Sequence, residues 1–393
     1  MEEDKTLLEA HLEETWENIG NLSKVHNSLF DHTLFLMGYD FSSNIYLIQG
    51  EYVSLIDPGN DYTAFMQMLD FGIKPPDIKK IALTHGHHDH AMGAIELVRG
   101  YRGYADQLEV EVFLHEAGPV ELIEMLRHMG YKVTLLKGGE TINLSGFDLD
   151  VIHTPGHTID GLCLYHAPTR TLFSGDTVLP LAMAEPDEKV AGGNMDHYFY
   201  SIRTLLKRDI DHVLPGHGGV SPTIGHWVVE ETYDGLIKRM LGFEPLPLME
   251  GAHQLAEKGL LEEALFYINK ALAKTGENIE ALEFKALLLN DLGRSQEALE
   301  AFDQVLAVKP DQVQMILGKG CSLLGLDRYE ESLSLFDEVL KRHPQSSEAQ
   351  IYKGMALYLA GRLDEAMDLP AFQQEFTSHL KTELEKLAQE KKS

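Results

Sequence analysis

At 393 residues with 44% hydrophobic content, the chain is long enough for two domains with packed cores, which excludes wholesale disorder. Acids outnumber bases 62 to 33, a net charge of -29, and such a surface repels phosphate backbones and anionic membranes, so neither nucleic acid nor a membrane is an expected partner. Cys163 and Cys321 are the two cysteines and fall in different predicted domains; with no leader-like start and no membrane-length apolar run, the expectation is a soluble cytoplasmic protein without disulfides.

In chain order, Leu8, Leu12, Trp16, Ile19 and Leu22 recur at steps of three and four, which predicts an amphipathic helix within residues 1–30. Asn44–Ile48 and Tyr52–Ile56 read as a hairpin ended by Asp57-Pro58-Gly59. Helical and extended patterns then alternate: helical over 61–71, extended over 81–84, helical over 93–98, extended over 110–114 and helical over 119–128. Further strands are predicted over 149–153, 162–165, 171–174 and 212–214, each followed by Gly, Pro or Asp. The rhythm is that of an α/β fold, and loops at strand ends are where a site is assembled from distant sequence. Pro245 and Pro247 mark a boundary that separates 31–243 from a second domain over 245–393.

The run Ile81-Ala82-Leu83-Thr84 ends in His85-Gly86-His87-His88-Asp89-His90. His85 and His87 lie two apart and Asp89 and His90 follow at once, so a turning loop can aim two pairs of ligands at two neighbouring points. Imidazoles with a carboxylate among them suit a hydrolytic metal site rather than a closed cysteine site. This stretch resembles the His-x-His-x-Asp-His signature of the metallo-β-lactamase superfamily, whose later pieces also stand in order. They are His157 in Thr154-Pro155-Gly156-His157-Thr158, Asp176 in Phe173-Ser174-Gly175-Asp176-Thr177, and His217 in Pro215-Gly216-His217-Gly218. The resemblance implies an αββα sandwich over 31–243.

Carried over residue by residue, the resemblance implies one metal on His85, His87 and His157, a second on Asp89, His90 and His217, and Asp176 as the bridge. It implies two divalent ions, zinc first with iron or manganese as alternatives, and a water or hydroxide between them for attack. Asp89 and Asp176 are the implied catalytic carboxylates. Asp57 matches the family's early aspartate, which orients a ligand imidazole from behind; by residue type it equally suits a turn before Pro58. His88 is set aside because the ligands alternate around it. His115 and His153 match no ligand position and read as structural, while His197 and Tyr198 read as packing at the start of a helix or as pocket lining.

Branches of the superfamily separate on what is absent. The β-lactamases proper use a cysteine in the second site, and flavodiiron proteins carry Glu at the position of His87; neither feature is here. Relatives that process transfer RNA share the ligand set, but the acidic balance counts against them. Glyoxalase II-like thioesterases share the full set, so the expected activity is hydrolysis of a small-molecule acyl substrate, a thioester, lactone or similar bond. Two rival readings are a mononuclear iron, persulfide-dioxygenase-like oxidoreductase, which the intact second site disfavours, and a repeat-mediated scaffold with a vestigial metal domain, which the complete ligand set disfavours.

Beyond Pro247 a new period begins. Gly259, Gly293, Asp327 and Gly361 are spaced by 34, as are Ala264, Ala298, Ser332 and Ala366, and Ala252, Ala286, Gly320 and Gly354. This resembles tetratricopeptide repeats, an all-α array of helix pairs with small residues where the helices cross. Three copies are clear, and the fourth departs at Leu369-Pro370, where a different, capping helix is expected. The resemblance implies a protein partner or self-association through the repeats.

Overall fold

Ile45 and Leu47 belong to one apolar core, and Tyr46 and Ile48, between and beyond them, to another. Successive side chains of a strand face opposite ways, so this strand is buried on both faces and reads as an unbroken apolar run. The same division recurs at Leu55 and Ile56, Ile81 and Ala82, and Val112 and Phe113. A sheet with two buried faces needs a layer on each side.

A computed structural model of the chain describes residues 16–39, 41–60, 62–100, 109–186, 193–243, 246–276 and 278–390. Seven strands form the first sheet in sequence order: β1 (Glu17–Asn18), β2 (Thr33–Leu36), β3 (Ile45–Gln49), β4 (Val53–Ile56), β5 (Ile78–Ala82), β6 (Glu111–His115) and β7 (Lys132–Leu136). Pairing is antiparallel from β1 to β4 and parallel from β4 to β7. Helices α2 (Tyr62–Asp70), α3 (His88–Gly100) and α4 (Val120–His128) supply Phe65, Ala94, Ile95 and Leu126 to the core on one face. The other face meets a second sheet, β12-β11-β10-β9-β8, built from β8 (Thr141–Leu144), β9 (Phe147–His153), β10 (Leu162–His166), β11 (Thr171–Gly175) and β12 (His212–Pro215). Leu149, Val151, Leu164 and Phe173 carry that second sheet into the core between the two. With α5 (Met195–Leu206) packed on α6 (Gly225–Met240), and α6 on β12, the order of layers is αββα.

The predicted helix within 1–30 is corrected. Leu8 and Leu12 lie outside the described residues; Glu17 and Asn18 pair with β2, and the helix α1 spans only Ile19–Ser23. Asn18 caps it by accepting from the Asn21 amide, and Lys24 ends it with φ at 57°. The physical reason is that Trp16 packs in the helix-side core and Ile19 in the core between the sheets, so the two do not share one face.

The chain divides into two compact units, 1–240 and 241–393. The second is a run of paired helices: α7 (Leu248–Glu257) with α8 (Leu261–Thr275), α9 (Ile279–Asp291) with α10 (Ser295–Val308), α11 (Val313–Leu324) with α12 (Tyr329–Arg342), and α13 (Ser347–Leu359) with the short α14 (Leu363–Met367). A Cβ on Gly320 would run into the ring of Phe336, which explains the small residue at that repeating position. Phe302 and Phe336 stand 16 residues after Ala286 and Gly320, but the same step from Gly354 reaches Pro370. There the chain starts a new helix, α15 (Pro370–Glu390), and it is Phe372 that seats against Gly354. Phe372→Ala is expected to cost about 3–5 kcal/mol of repeat-unit stability, read from urea unfolding by circular dichroism; a change below about 1 kcal/mol, the range of an ordinary surface substitution, would remove Phe372 from the packing of the last repeat.

Candidate metal centre

Each predicted site residue follows a strand: Asp57 after β4, His85 to His90 after β5, His157 after β9, Asp176 after β11 and His217 after β12. Asp89 and His90 differ from the predicted loop in one respect, since α3 already begins at His88 and carries both on its first turn. The folded chain gathers the seven residues into three overlapping groups with donor atoms within 4.8 Å of one another: His85, His87 and His157; His85, His90 and Asp176; and Asp89, His90 and His217. His85 Nε2 and His157 Nε2 lie 3.0 and 3.2 Å from His87 Nδ1. On the other side, Asp89 Oδ2 is 3.1 Å from His217 Nε2 and 3.7 Å from His90 Nε2. Asp176 stands between: its Oδ2 is 3.7 Å from His157 and 3.6 Å from His217, and its Oδ1 is 3.3 Å from His90.

The outer nitrogens of three rings are engaged, which sets the tautomers. His90 Nδ1 donates to Asp57 Oδ2 at 2.9 Å. Thr84 spends its hydroxyl proton on the same oxygen at 2.6 Å, so it accepts from His85 Nδ1 at 3.2 Å. His157 Nδ1 donates to the Glu185 carbonyl at 2.7 Å. In its neutral form each of these rings is thereby left with the Nε2 lone pair toward the centre. Asp57, 2% exposed, thus supports two imidazoles and also accepts from the Thr84 amide at 2.7 Å. Asp57→Asn is expected to lower metal affinity about 10–100-fold, measured by competition with a chromophoric chelator; unchanged affinity would mean that His90 needs no such support.

The donors fit a cation. His90 Nε2 and Asp176 Oδ1 are buried and make no hydrogen bond despite their proximity, a cost that a shared ion removes. Burial, followed by neighbouring imidazoles, drives His85 and His87 below the usual range, which keeps both neutral. Burial opposes charge on His90 as well, but Asp176 and Asp57 outweigh it and raise its pKa. Asp176 is held far below the carboxylate range, against its burial, chiefly by His90.

Sequence reasoning missed several supports. Asp160, 3% exposed, accepts from the Gly86 amide at 2.8 Å and so fixes the turn between His85 and His87. Asn44 donates to the carbonyls of Pro215 and Gly218 at 2.9 and 2.8 Å, which pins the loop of His217. Tyr198, read from the sequence as packing or pocket lining, is fully buried and shares its hydroxyl proton between the carbonyls of Asp176 and Thr177. His115 and His153 stack with ring centres 4.0 Å apart, while His88 is exposed and outside all three groups. No spacing signal marks Asp160 or Asn44, because they act across 74 to 174 residues.

A family model described as the metallo-beta-lactamase superfamily matches residues 38–217. A Methanocaldococcus jannaschii protein named as a probable metallo-hydrolase is 32% identical over 47% of this chain and 92% of its own length. The chain belongs to the metallo-beta-lactamase superfamily. A similarly named Bacillus subtilis protein is 29% identical to this superfamily member, over 44% of this chain and 83% of the relative. The atrochrysone carboxyl ACP thioesterase AgnL7 of Paecilomyces divaricatus is 23% identical over 48% of this chain and 54% of the relative. Among solved structures, a metallo-beta-lactamase family protein of Thermus thermophilus is 22% identical, covering 62% of this chain and 93% of that one at a TM-score of 0.41. Tetratricopeptide repeat models match residues 279–312 and 317–370.

Proposed function

We propose that the N-terminal unit is a dinuclear metal-dependent hydrolase that cleaves an acyl bond, a thioester, lactone or similar group, in a small-molecule substrate. The observation that carries this reading is Asp176, whose carboxylate lies within 3.7 Å of imidazole nitrogens from both trios, as a clamp on two neighbouring ions requires. His85, His87 and His157 would hold one divalent cation and Asp89, His90 and His217 the other, zinc first, with iron or manganese suited to the same donors. When bound, such a pair supplies an activated water at neutral pH and polarises the acyl carbonyl.

The protein's own residues orient and exchange protons. Asp57 and Thr84 hold His90 and His85 in the tautomers that face the centre, and Asp160 fixes the turn between His85 and His87. Asp89, whose side chain is 31% exposed against 10% for Asp176, takes up the proton of the attacking water on its carboxylate. The water oxygen bonds to the acyl carbon, the C–S or C–O bond breaks, and the proton passes to the departing thiolate or alkoxide. Burial pushes the Cys163 thiol up to about 11, so it is no nucleophile. The names of two relatives, both probable metallo-hydrolases, support hydrolysis, and that of a third, an ACP thioesterase, supports an acyl substrate. We assign the repeats to a protein partner or a second copy of the chain. Two free cysteines support a reducing, cytoplasmic setting, and among the described residues no helix is long and apolar enough to cross a membrane.

The test is metal counting on the full chain loaded in turn with zinc, iron and manganese, with assays on thioesters, lactones and phosphodiesters. Two ions per chain and turnover confined to the acyl compounds are expected. One iron per chain with oxygen consumption, or turnover of phosphodiesters alone, overturns the reading.

A further inference from the structure

A groove of about 900 Å³ runs between α3 and α4. Met92 and Ile95 from α3, Leu122 and Met125 from α4, and Ile159 from the β9–β10 loop make its walls apolar. Gly86 and His87 also line it, and His87 belongs to the trio with His85 and His157, so one residue of the centre forms part of the groove wall. On the reading above, that this centre hydrolyses acyl bonds, we propose that the groove holds an apolar acyl chain of the substrate.

The wall chemistry selects that occupant. Its volume lies within the usual range for small-molecule sites. Among the described residues no lysine or arginine lines it, while Glu121 and Asp160 do, so an anionic group is repelled and an uncharged chain is not. Two methionines give a surface that repacks around chains of different length. His88, exposed and outside the metal groups, also lines the groove. The substrates favoured are therefore acyl groups with a hydrocarbon tail in preference to acetyl or hydroxyacyl groups. Each methylene seated in the groove is worth up to about fourfold in binding.

The experiment uses the full, metal-loaded chain and two non-hydrolysable probes, the S-ethyl and S-decyl thioethers of N-acetylcysteamine, titrated by calorimetry. The decyl probe is expected to bind at least about 100-fold more tightly than the ethyl probe, with a negative heat-capacity change. Met125→Glu, at a site already 42% exposed and so tolerant of charge, is expected to weaken the decyl probe by about tenfold or more, and Met125→Leu to restore it. Equal affinity of the wild-type protein for both probes overturns the groove assignment, as does decyl binding that Met125→Glu leaves intact. Thioester turnover in the same preparations separates the two readings. If turnover is independent of chain length and the decyl probe does not bind, the groove assignment fails alone. If the probe binds in the expected pattern but no thioester or lactone is turned over, the hydrolase reading fails alone.

Discussion

Asp176→Ala is expected to abolish turnover, by at least about a thousandfold, the scale of losing one preorganised charged group at a reacting centre, and to reduce the metal content to one ion or none. The carboxylate lies within 3.7 Å of His90, His157 and His217, so its removal takes a charged donor from both positions at once. The buried imidazoles also lose the counter-charge that accompanies His90. Asp176→Asn separates charge from shape: it preserves the volume and the backbone held by Tyr198, and the same metal loss is expected with the fold unchanged by circular dichroism. Full occupancy and wild-type turnover in either variant would show that Asp176 does not join the two trios.

Gly216→Ala should come close to that effect without touching a donor. A Cβ at this position would run into Asp176 Oδ1 and approach His90 Cε1 to 2.7 Å and the Gly175 carbonyl carbon to 2.9 Å. None of these neighbours can yield cheaply. Asp176 and His90 are buried, and the Gly216 amide donates to the Gly175 carbonyl at 2.7 Å while its own carbonyl accepts from the Asn44 amide at the same distance. The added methyl group must therefore push the Asp176 carboxylate off its position, and a displacement of about 1 Å at a reacting centre costs on the order of a hundredfold in rate. Metal counting and kcat/KM are the readouts; Gly218→Ala, where a Cβ meets nothing within 4 Å but φ is 79°, controls for backbone strain. If Gly216→Ala behaves no worse than Gly218→Ala, close packing against Asp176 is not what requires glycine there.

The histidine and aspartate spacing from His85 to His90 was legible because local spacing reports how consecutive residues leave a strand, whereas His157, Asp176 and His217 were legible only through the resemblance to a known signature. The 34-residue step was legible because a repeating helix pair must present a small residue at each close crossing, which recurs in the sequence whatever the neighbours are. Which face Trp16 and Ile19 occupy was not, since a strand and a short helix can carry the same apolar spacing when both sides are buried. Nor could periodicity supply Phe372 for the missing aromatic at Pro370, a substitution made by restarting a helix. Tertiary structure alone decided that Asp160 and Asn44 hold the loops around the centre, and it alone gave the distances at which Asp176 and Asp57 take the places that the resemblance implied. These contacts join residues 19 to 174 apart; sequence spacing records the direction in which a chain leaves its strand, whereas convergence depends on how two sheets and their helices pack.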